Sequence, residues 1–266
     1  MGISSIKRKN RIIEILNTQG AVAVSELVQR LNVSEVTVRR YLEEMEQDNF
    51  LLRTYGGAVK KESGISAEFF FGEKEKKNLA EKKAIADEAV SLIRNGETIF
   101  LDTGTTTLEI SRLLARSGRN ILVVTNSLPV VTELSQAGDI KVFLLGGFLR
   151  RELMDMSGPF SDDEIGKLTF DQVFVGVDGI SADRGLTTTD TTTARIEEAV
   201  MERTRILNVV ADFSKIGKVS LIPYGSIEKR DVHRRLITDS SAGKKELKRI
   251  ERKLGFEIRV AMLGKR

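Results

Sequence analysis

Along the first sixty residues, apolar positions recur at helical spacing in three short blocks. Ile12, Ile13, Ile15 and Leu16 predict a helix over residues 6–18, and Leu27, Val28 and Leu31 a second one behind Ser25. Val38, Leu42 and Met45 predict a third behind Ser34. Ser25 and Ser34 are expected N-caps, because a serine hydroxyl accepts a hydrogen bond from a first-turn amide. Only Asn32 and Val33 separate the second block from Ser34, which is the tight turn of a helix-turn-helix. The stretch from Phe50 to Val59 then reads as two short strands about Gly56-Gly57, a wing behind the third helix. Opposite its apolar stripe the third helix carries Thr37, Arg39, Arg40, Tyr41 and Glu44. Hydroxyls and arginines there suit phosphates and guanine edges. Ser34, Glu35, Thr37, Arg39, Arg40 and Tyr41, with Arg53, Tyr55 and Gly56 from the wing, are the candidate DNA contacts.

After Val59 the pattern stops. Residues 61–77 are charged and without period apart from Phe69-Phe70-Phe71, and are expected to be a linker whose aromatics bury at a domain or subunit interface. From residue 78 the pattern changes again. A helix over 79–94 ends at Asn95-Gly96, and apolar strands follow at 98–101, 121–125, 141–145, 173–177 and 206–210. Shorter ones lie at 236–237 and 258–262. Near-continuous apolar strands separated by helices predict a mostly parallel, Rossmann-like α/β sheet covered on both faces. The expected domains are therefore a winged helix-turn-helix at 1–60 and an α/β domain at 78–266.

In an open parallel sheet, ligands bind beyond the carboxyl ends of the strands. The polar residues expected there are Asp102, Thr103, Gly104, Thr105 and Thr106, then Asn126, then Gly146 and Gly147 with Arg150, then Asp178, and Lys215 just after Asp212. Gly104 allows close backbone approach, the threonines add hydroxyls, and the following helix offers amides and a positive dipole end, which suits a phosphate. No P-loop lysine is present, so a nucleotide triphosphate is disfavoured. Residues 185–193 read as a hydroxyl-rich loop, with Asp190 and Thr191 capping the next helix and Thr187 and Thr188 as ligand candidates. His233 reads as a solvated surface residue.

Composition narrows the function classes. The chain has 266 residues and 41% hydrophobic positions, enough for two cored domains. There is no cysteine, so no disulfide framework and no cysteine nucleophile; no metal site and no cofactor are expected. No apolar run approaches the ~18 residues of a membrane span, and no signal-peptide core follows the N-terminus. A cytoplasmic protein is expected. The net charge is only +4, and much of the excess lies at 244–266, with nine basic against three acidic residues. Leu247, Ile250 and Leu254 place those lysines on the outer face of a helix.

Several of these stretches also resemble the DeoR-type bacterial transcriptional regulators. The resemblance runs through Gly20–Leu27, Val33-Ser34, Thr37–Arg40 and Arg53–Ala58 in the first domain. In the second it runs through Asp102–Thr106, Thr125–Ser127, Leu145–Gly147, Gly176–Ile180, Gly185–Thr188 and Asp212–Lys215. Tyr41, Asn49 and Tyr55 stand where that family commonly has Asp, Gly and His, and Thr192 and Thr193 where many members have glutamates. The resemblance implies a sensor domain similar in fold to ribose-5-phosphate isomerase and a phosphorylated sugar or related metabolite as effector. The expected function is a regulator, most readily a repressor of a carbohydrate-metabolism operon, that binds double-stranded operator DNA as a homo-oligomer, dimer or tetramer. The alternative is a sugar-phosphate isomerase or deaminase carrying a DNA-binding domain, in which Asp102, Asp178 and Lys215 would move protons.

Overall fold

A computed structural model of the chain describes residues 3–47, 51–54, 56–60, 71–72, 74–151, 153–225 and 232–263. The chain forms two compact units. The expected linker falls largely on 61–70 and 73, outside the described residues, as do Phe69, Phe70, Asn49 and Tyr55.

The first unit contains α1 (Ile3–Gln19), β1 (Ala21–Ala23), α2 (Val24–Leu31), α3 (Glu35–Gln47), β2 (Leu51–Thr54) and β3 (Gly57–Lys60). Ile12, Ile15 and Leu16 of α1 meet Leu27 and Leu31 of α2 and Val38, Leu42 and Met45 of α3 in one core. Asn32 ends α2 in the left-handed conformation, at φ 49°, which allows the chain to reverse in two residues. Two features differ from expectation. The wing has a third strand, with β1 pairing antiparallel to β3 in the order β1-β3-β2. A Cβ on Gly57 would stand 2.1 Å from the Val22 carbonyl oxygen, so only glycine lets β3 approach β1. Moreover Ser25 is not the cap of α2. The helix starts at Val24, whose amide donates to the Gly56 carbonyl at 2.7 Å, so a turn of the wing replaces the side-chain cap.

The second unit is built on seven parallel strands: β4 (Thr98–Leu101), β5 (Ile121–Thr125), β6 (Ile140–Leu144), β9 (Phe170–Val175), β12 (Thr204–Val210), β14 (His233–Asp239) and β15 (Glu257–Ala261). Their order is β15-β14-β12-β9-β4-β5-β6. Helices α4 (Leu79–Ser91), α5 (Thr105–Leu114) and α6 (Leu128–Leu134) cover one face through Ile85, Ala89, Ile110, Leu114 and Val130, packed on Ile99, Leu101, Val123 and Phe174. Helices α8 (Thr191–Met201) and α9 (Lys244–Leu254) cover the other through Ile196, Val200, Leu247 and Ile250, packed on Phe100, Val124, Val173 and Val175. Alternate side chains of each strand thus enter opposite cores, which is why the strands read as unbroken apolar runs.

Smaller elements sit at the strand ends. A hairpin, β7 (Phe148–Arg150) with β8 (Asp155–Ser157), leads into α7 (Pro159–Ile165). Residues 185–188, expected as loop, are β11 (Gly185–Thr188). It lies between β10 (Gly179–Ser181) and β13 (Ile222–Tyr224) in an antiparallel sheet. The run of hydroxyls hid this strand, because its threonines are buried by pairing on both sides rather than by apolar contacts.

Candidate functional site

Ser34 caps α3: its Oγ accepts from the Thr37 amide at 3.3 Å and lies 2.9 Å from the Thr37 hydroxyl. The helix then shows solvent a surface of Ser34, Glu35, Val36, Arg39, Arg40 and Glu43, while Val38, Leu42 and Met45 are buried. Thr37 is half-buried and Gly56 of the wing turn is exposed. Tyr41 departs from the expected surface. It is 3% exposed and belongs to the core, because it follows Val38 by three positions and falls on the same stripe. The Arg40 guanidinium carbon lies 5.8 Å from its ring centre. Val36, not among the expected contacts, is 78% exposed. An apolar side chain displayed on a helix of this kind has the chemistry to meet a thymine methyl.

Each arginine of this surface has a carboxylate beside it. Arg39 bonds Glu35, Arg40 stands 3.8 Å from Glu44, and Arg53 stands 3.7 Å from Glu43. The Arg53 amide also donates to Glu46 at 2.8 Å.

In the second unit, strands β4, β5 and β6 run outward to one side, and β9 returns to the other side of β4. The carboxyl ends of β4 and β9 therefore flank the point where strand order reverses, the crevice in which open α/β sheets take ligands. Asp102 closes this junction. Its amide donates to Phe174 at 3.1 Å, and its Oδ2 accepts the Gly176 amide at 3.0 Å. Burial pushes the Asp102 carboxyl up to about 6, against the amides of Thr103 and Gly176, which favour its charge. Gly104 follows, and α5 starts with no side-chain cap, so the amides around Thr105 and Thr106 are not occupied by one. The Thr107 hydroxyl secures the turn by donating to the Asp102 and Gly104 carbonyls. Opposite this loop, Asp178 accepts from Thr188 and from both the amide and hydroxyl of Thr189. Asn126, at the end of β5, is buried; its Nδ2 donates to Met156, and its Oδ1 has no protein partner.

Four expected ligand residues have partners within the fold. Arg150 bonds both oxygens of Asp155 at 2.7 and 2.5 Å and reaches Asp190 at 2.5 Å, tying the hairpin to the start of α8. Burial opposes its charge, but these carboxylates outweigh that and leave the guanidinium above its ordinary value. Gly146 accepts the Ser161 hydroxyl at its carbonyl, and Gly147 serves the base of the hairpin. Gly147 has φ 148°, and a Cβ there would stand 2.5 Å from the Ser157 carbonyl oxygen. Thr187 is fully buried, donating to the Gly179 carbonyl and accepting the Ser220 amide, so it is part of the sheet rather than of a pocket. Asp190 caps α8 as expected, accepting the Thr193 amide at 2.7 Å. His233 is exposed and contacts Glu257.

The structure also adds a residue. Lys82, on α4, is only 4% exposed and lies within electrostatic reach of Asp212 and Lys215 at the end of β12. Burial pulls it down to about 8, Asp212 opposes the fall and Lys215 adds to it. Asn78 bonds the other side of this cluster, donating to Asp212 at 2.9 Å. The signal was present in the sequence: Lys82 falls in register with Ile85, Ala86 and Ala89 on the buried stripe of α4, where a lysine is rarely found without a specific reason.

Residues 8–63 match the family model of the DeoR-like helix-turn-helix domain, and residues 77–240 that of the DeoR C-terminal sensor domain. The HTH-type transcriptional regulator GlpR of Haloferax volcanii is 37% identical over 235 residues, covering 88% of this chain and 90% of that protein. The glycerol-3-phosphate regulon repressor of Escherichia coli K12 is 33% identical over 225 residues, covering 85% and 88%. Among solved structures, ribose 5-phosphate isomerase A of Methanocaldococcus jannaschii aligns over 56% of each chain with 22% identity and a TM-score of 0.38. No described helix is long and apolar enough to cross a membrane.

Proposed function

The chain belongs to the DeoR family of transcriptional regulators, and from that premise we propose that it represses a carbohydrate-metabolism operon under control of a phosphorylated sugar or related metabolite. Residues 1–60 are the DNA-binding domain, reading operator DNA with Ser34, Glu35, Val36, Thr37, Arg39 and Arg40 and steadying it from the wing with Arg53. Residues 78–266 are the sensor, joined through 61–77. The observation that carries the effector reading is the coincidence, at one strand-order reversal, of an uncapped helix start at Thr105 with the carboxylates of Asp102 and Asp178. Helix amides take the phosphate and the carboxylates take sugar hydroxyls. Lys82 and Lys215, at the end of β12, supply cationic charge to the same edge of the sheet.

The protein acts as a homo-oligomer in the cytoplasm, because one winged helix offers too few base contacts for genomic selectivity. It is a regulator and not an isomerase. The relatives are named as regulators, Asp102 already accepts two backbone amides, and Thr192 and Thr193 bring no carboxylate to the start of α8. The test is to titrate a selected operator duplex with and without a panel of sugar phosphates, beside a turnover assay on the same panel. A ligand that shifts operator affinity without being turned over supports the reading. Turnover with unchanged operator affinity supports the enzyme instead.

A further inference from the structure

The second unit begins at Glu75, where the chain leaves the first. Residues 74–76 are helical, 77 and 78 form a turn, and α4 starts at Leu79. Nothing in the sequence demands this break. Residues 74–91 contain no glycine and no proline, and the strong helix formers lysine, glutamate and alanine fill most of them. Asn78 makes the break by adopting the left-handed conformation, at φ 53° and ψ 38°, which costs energy for any residue with a side chain. α4 then begins without a side-chain cap, although in a continuous helix the carbonyls of residues 75–77 would serve its first amides. The local preference for one long helix is thus overridden from outside the segment.

Two contacts do this. Asn78 Nδ2 donates to Asp212 Oδ1 at 2.9 Å, an oxygen that also accepts the Ser214 amide. Three residues earlier, Glu75 pairs at 2.7 Å with Arg112 of α5, the guanidinium that Glu109 and Glu133 also hold. Both anchors belong to the elements of the effector reading, since α5 follows the Thr103–Thr106 loop and Asp212 leads to Lys215 at the end of β12. We propose that the 77–78 break is the regulatory joint of the sensor: an effector hydroxyl that takes the Asp212 carboxylate displaces Asn78, and residues 74–91 then close into one helix. This rests on the effector reading given above. Closure changes the course of the chain where it enters the sensor, along the covalent path to the DNA-binding domain, and operator affinity falls. Effector and joint bid for the same carboxylate, so each must change the equilibrium of the other by the same factor.

Asn78→Ala and Asn78→Gly remove the same hydrogen bond but differ in backbone preference: alanine favours the continuous helix, glycine the left-handed break. A merely structural Asn78 makes the two variants alike, whereas the joint makes them opposite. Each full-length protein is titrated with a selected operator duplex, with and without a panel of pentose, hexose and hexosamine phosphates, and hydrogen exchange is followed at residues 77–82. Without ligand, Asn78→Ala is expected to bind operator roughly 5- to 150-fold more weakly than the parent and to show slowed exchange at 77–82. It should also take the sugar phosphate that moves the parent more tightly, with little further effect on DNA. Asn78→Gly is expected to bind operator at least as tightly as the parent, to exchange rapidly at 77–82 and to take the same ligand more weakly. Operator shifts in the same direction, or an Asn78→Ala protein that matches the parent in affinity and exchange, overturn the proposal. A parent that responds to no member of the panel overturns the effector reading and the joint with it. If the parent responds and Thr105→Asp does not, while the two Asn78 variants behave alike, only the joint fails.

Discussion

Arg39 is held by Glu35 one turn before it on α3: Nε donates at 2.9 Å and Nη2 at 2.6 Å, both to Oε1 of the same carboxylate. Both side chains are about half exposed, so the pair contributes only about 0.3–0.5 kcal/mol to the helix. Its larger effect is on DNA. A carboxylate beside the guanidinium repels phosphates and raises the threshold for sequence-independent binding. Glu35→Gln should therefore increase affinity for random duplex roughly two- to fivefold and steepen the salt dependence by about one unit. Fluorescence anisotropy at several salt concentrations measures both. Unchanged random-duplex binding together with weakened operator binding would mean that Glu35 reads a base instead.

Arg39→Ala and Arg40→Ala should each weaken operator binding, by ~1–3 kcal/mol where the arginine reads a base edge. Val36→Ala should weaken it less, and only for operators with thymine at the contacted step. Tyr41 should behave differently. As a buried core residue, it should cost about 3–5 kcal/mol of stability on truncation to alanine, an amount typical of large aromatic-to-alanine changes. Chemical denaturation alongside operator titration separates the two classes. Tyr41→Ala that stays as stable as the parent but loses operator would restore Tyr41 to the DNA surface.

Most of the architecture was legible because its signals are local and repeated. Val38, Leu42 and Met45 mark the buried face of α3, and alternating residues such as Ile99, Phe100 and Leu101 enter two opposite cores, so each strand reads as a plain apolar run. What escaped was set by partners distant in sequence. β1 is three residues long and exists through its pairing with β3, and β11 is buried by its neighbours β10 and β13 although it is half threonine. In the proposed site, Asp102 through Thr106 could be read as a polar strand end at the junction of β4 and β9, whereas the partners that hold Arg150 and Thr187, which are Asp155, Asp190, Gly179 and Ser220, lie elsewhere in the chain. Lys82 was missed although it sits in register with the apolar stripe of α4, which is the place where a charge most needs a reason.

Asp102 should give the stability of the second unit a slope with pH. The folded protein keeps its proton up to about pH 6, whereas the ordinary value is 3.8. Between those values the native state binds more protons than the unfolded chain, so stability falls as pH rises through that window. Burial raises Asp155 in the same sense, while the lowered carboxylates of Asp190 and Glu257 lose their contribution only at more acid pH. Thermal unfolding of the parent should therefore move to lower temperature from about pH 4 to about pH 6, and Asp102→Asn should flatten that slope. Equal slopes in both proteins would show that Asp102 is not the titrating group.

Lys82 predicts proton uptake on effector binding. Held near 8 in the free protein, it should regain a higher value beside a bound phosphate monoester, which is itself already fully ionised at that pH. Calorimetry at about pH 8 in buffers of different ionisation heat should show uptake of roughly half a proton per site, and Lys82→Met should remove it. Uptake that persists in Lys82→Met would place the titrating group elsewhere.

The central claim is that the Thr103–Thr106 loop takes the phosphate of an effector that controls operator binding. Thr105→Asp tests it most directly, because it places a fixed negative charge where that phosphate should sit. A ligand shifts DNA affinity only as far as it prefers one arrangement of the protein over another, and a coupling of ~1–3 kcal/mol corresponds to roughly a 5- to 150-fold change. The measurement is operator affinity for parent and variant, with and without the sugar phosphates to which the parent responds. The account predicts near-normal operator binding by Thr105→Asp without effector and no response when effector is added, a repressor that is not induced. A Thr105→Asp protein that responds as fully as the parent would contradict it.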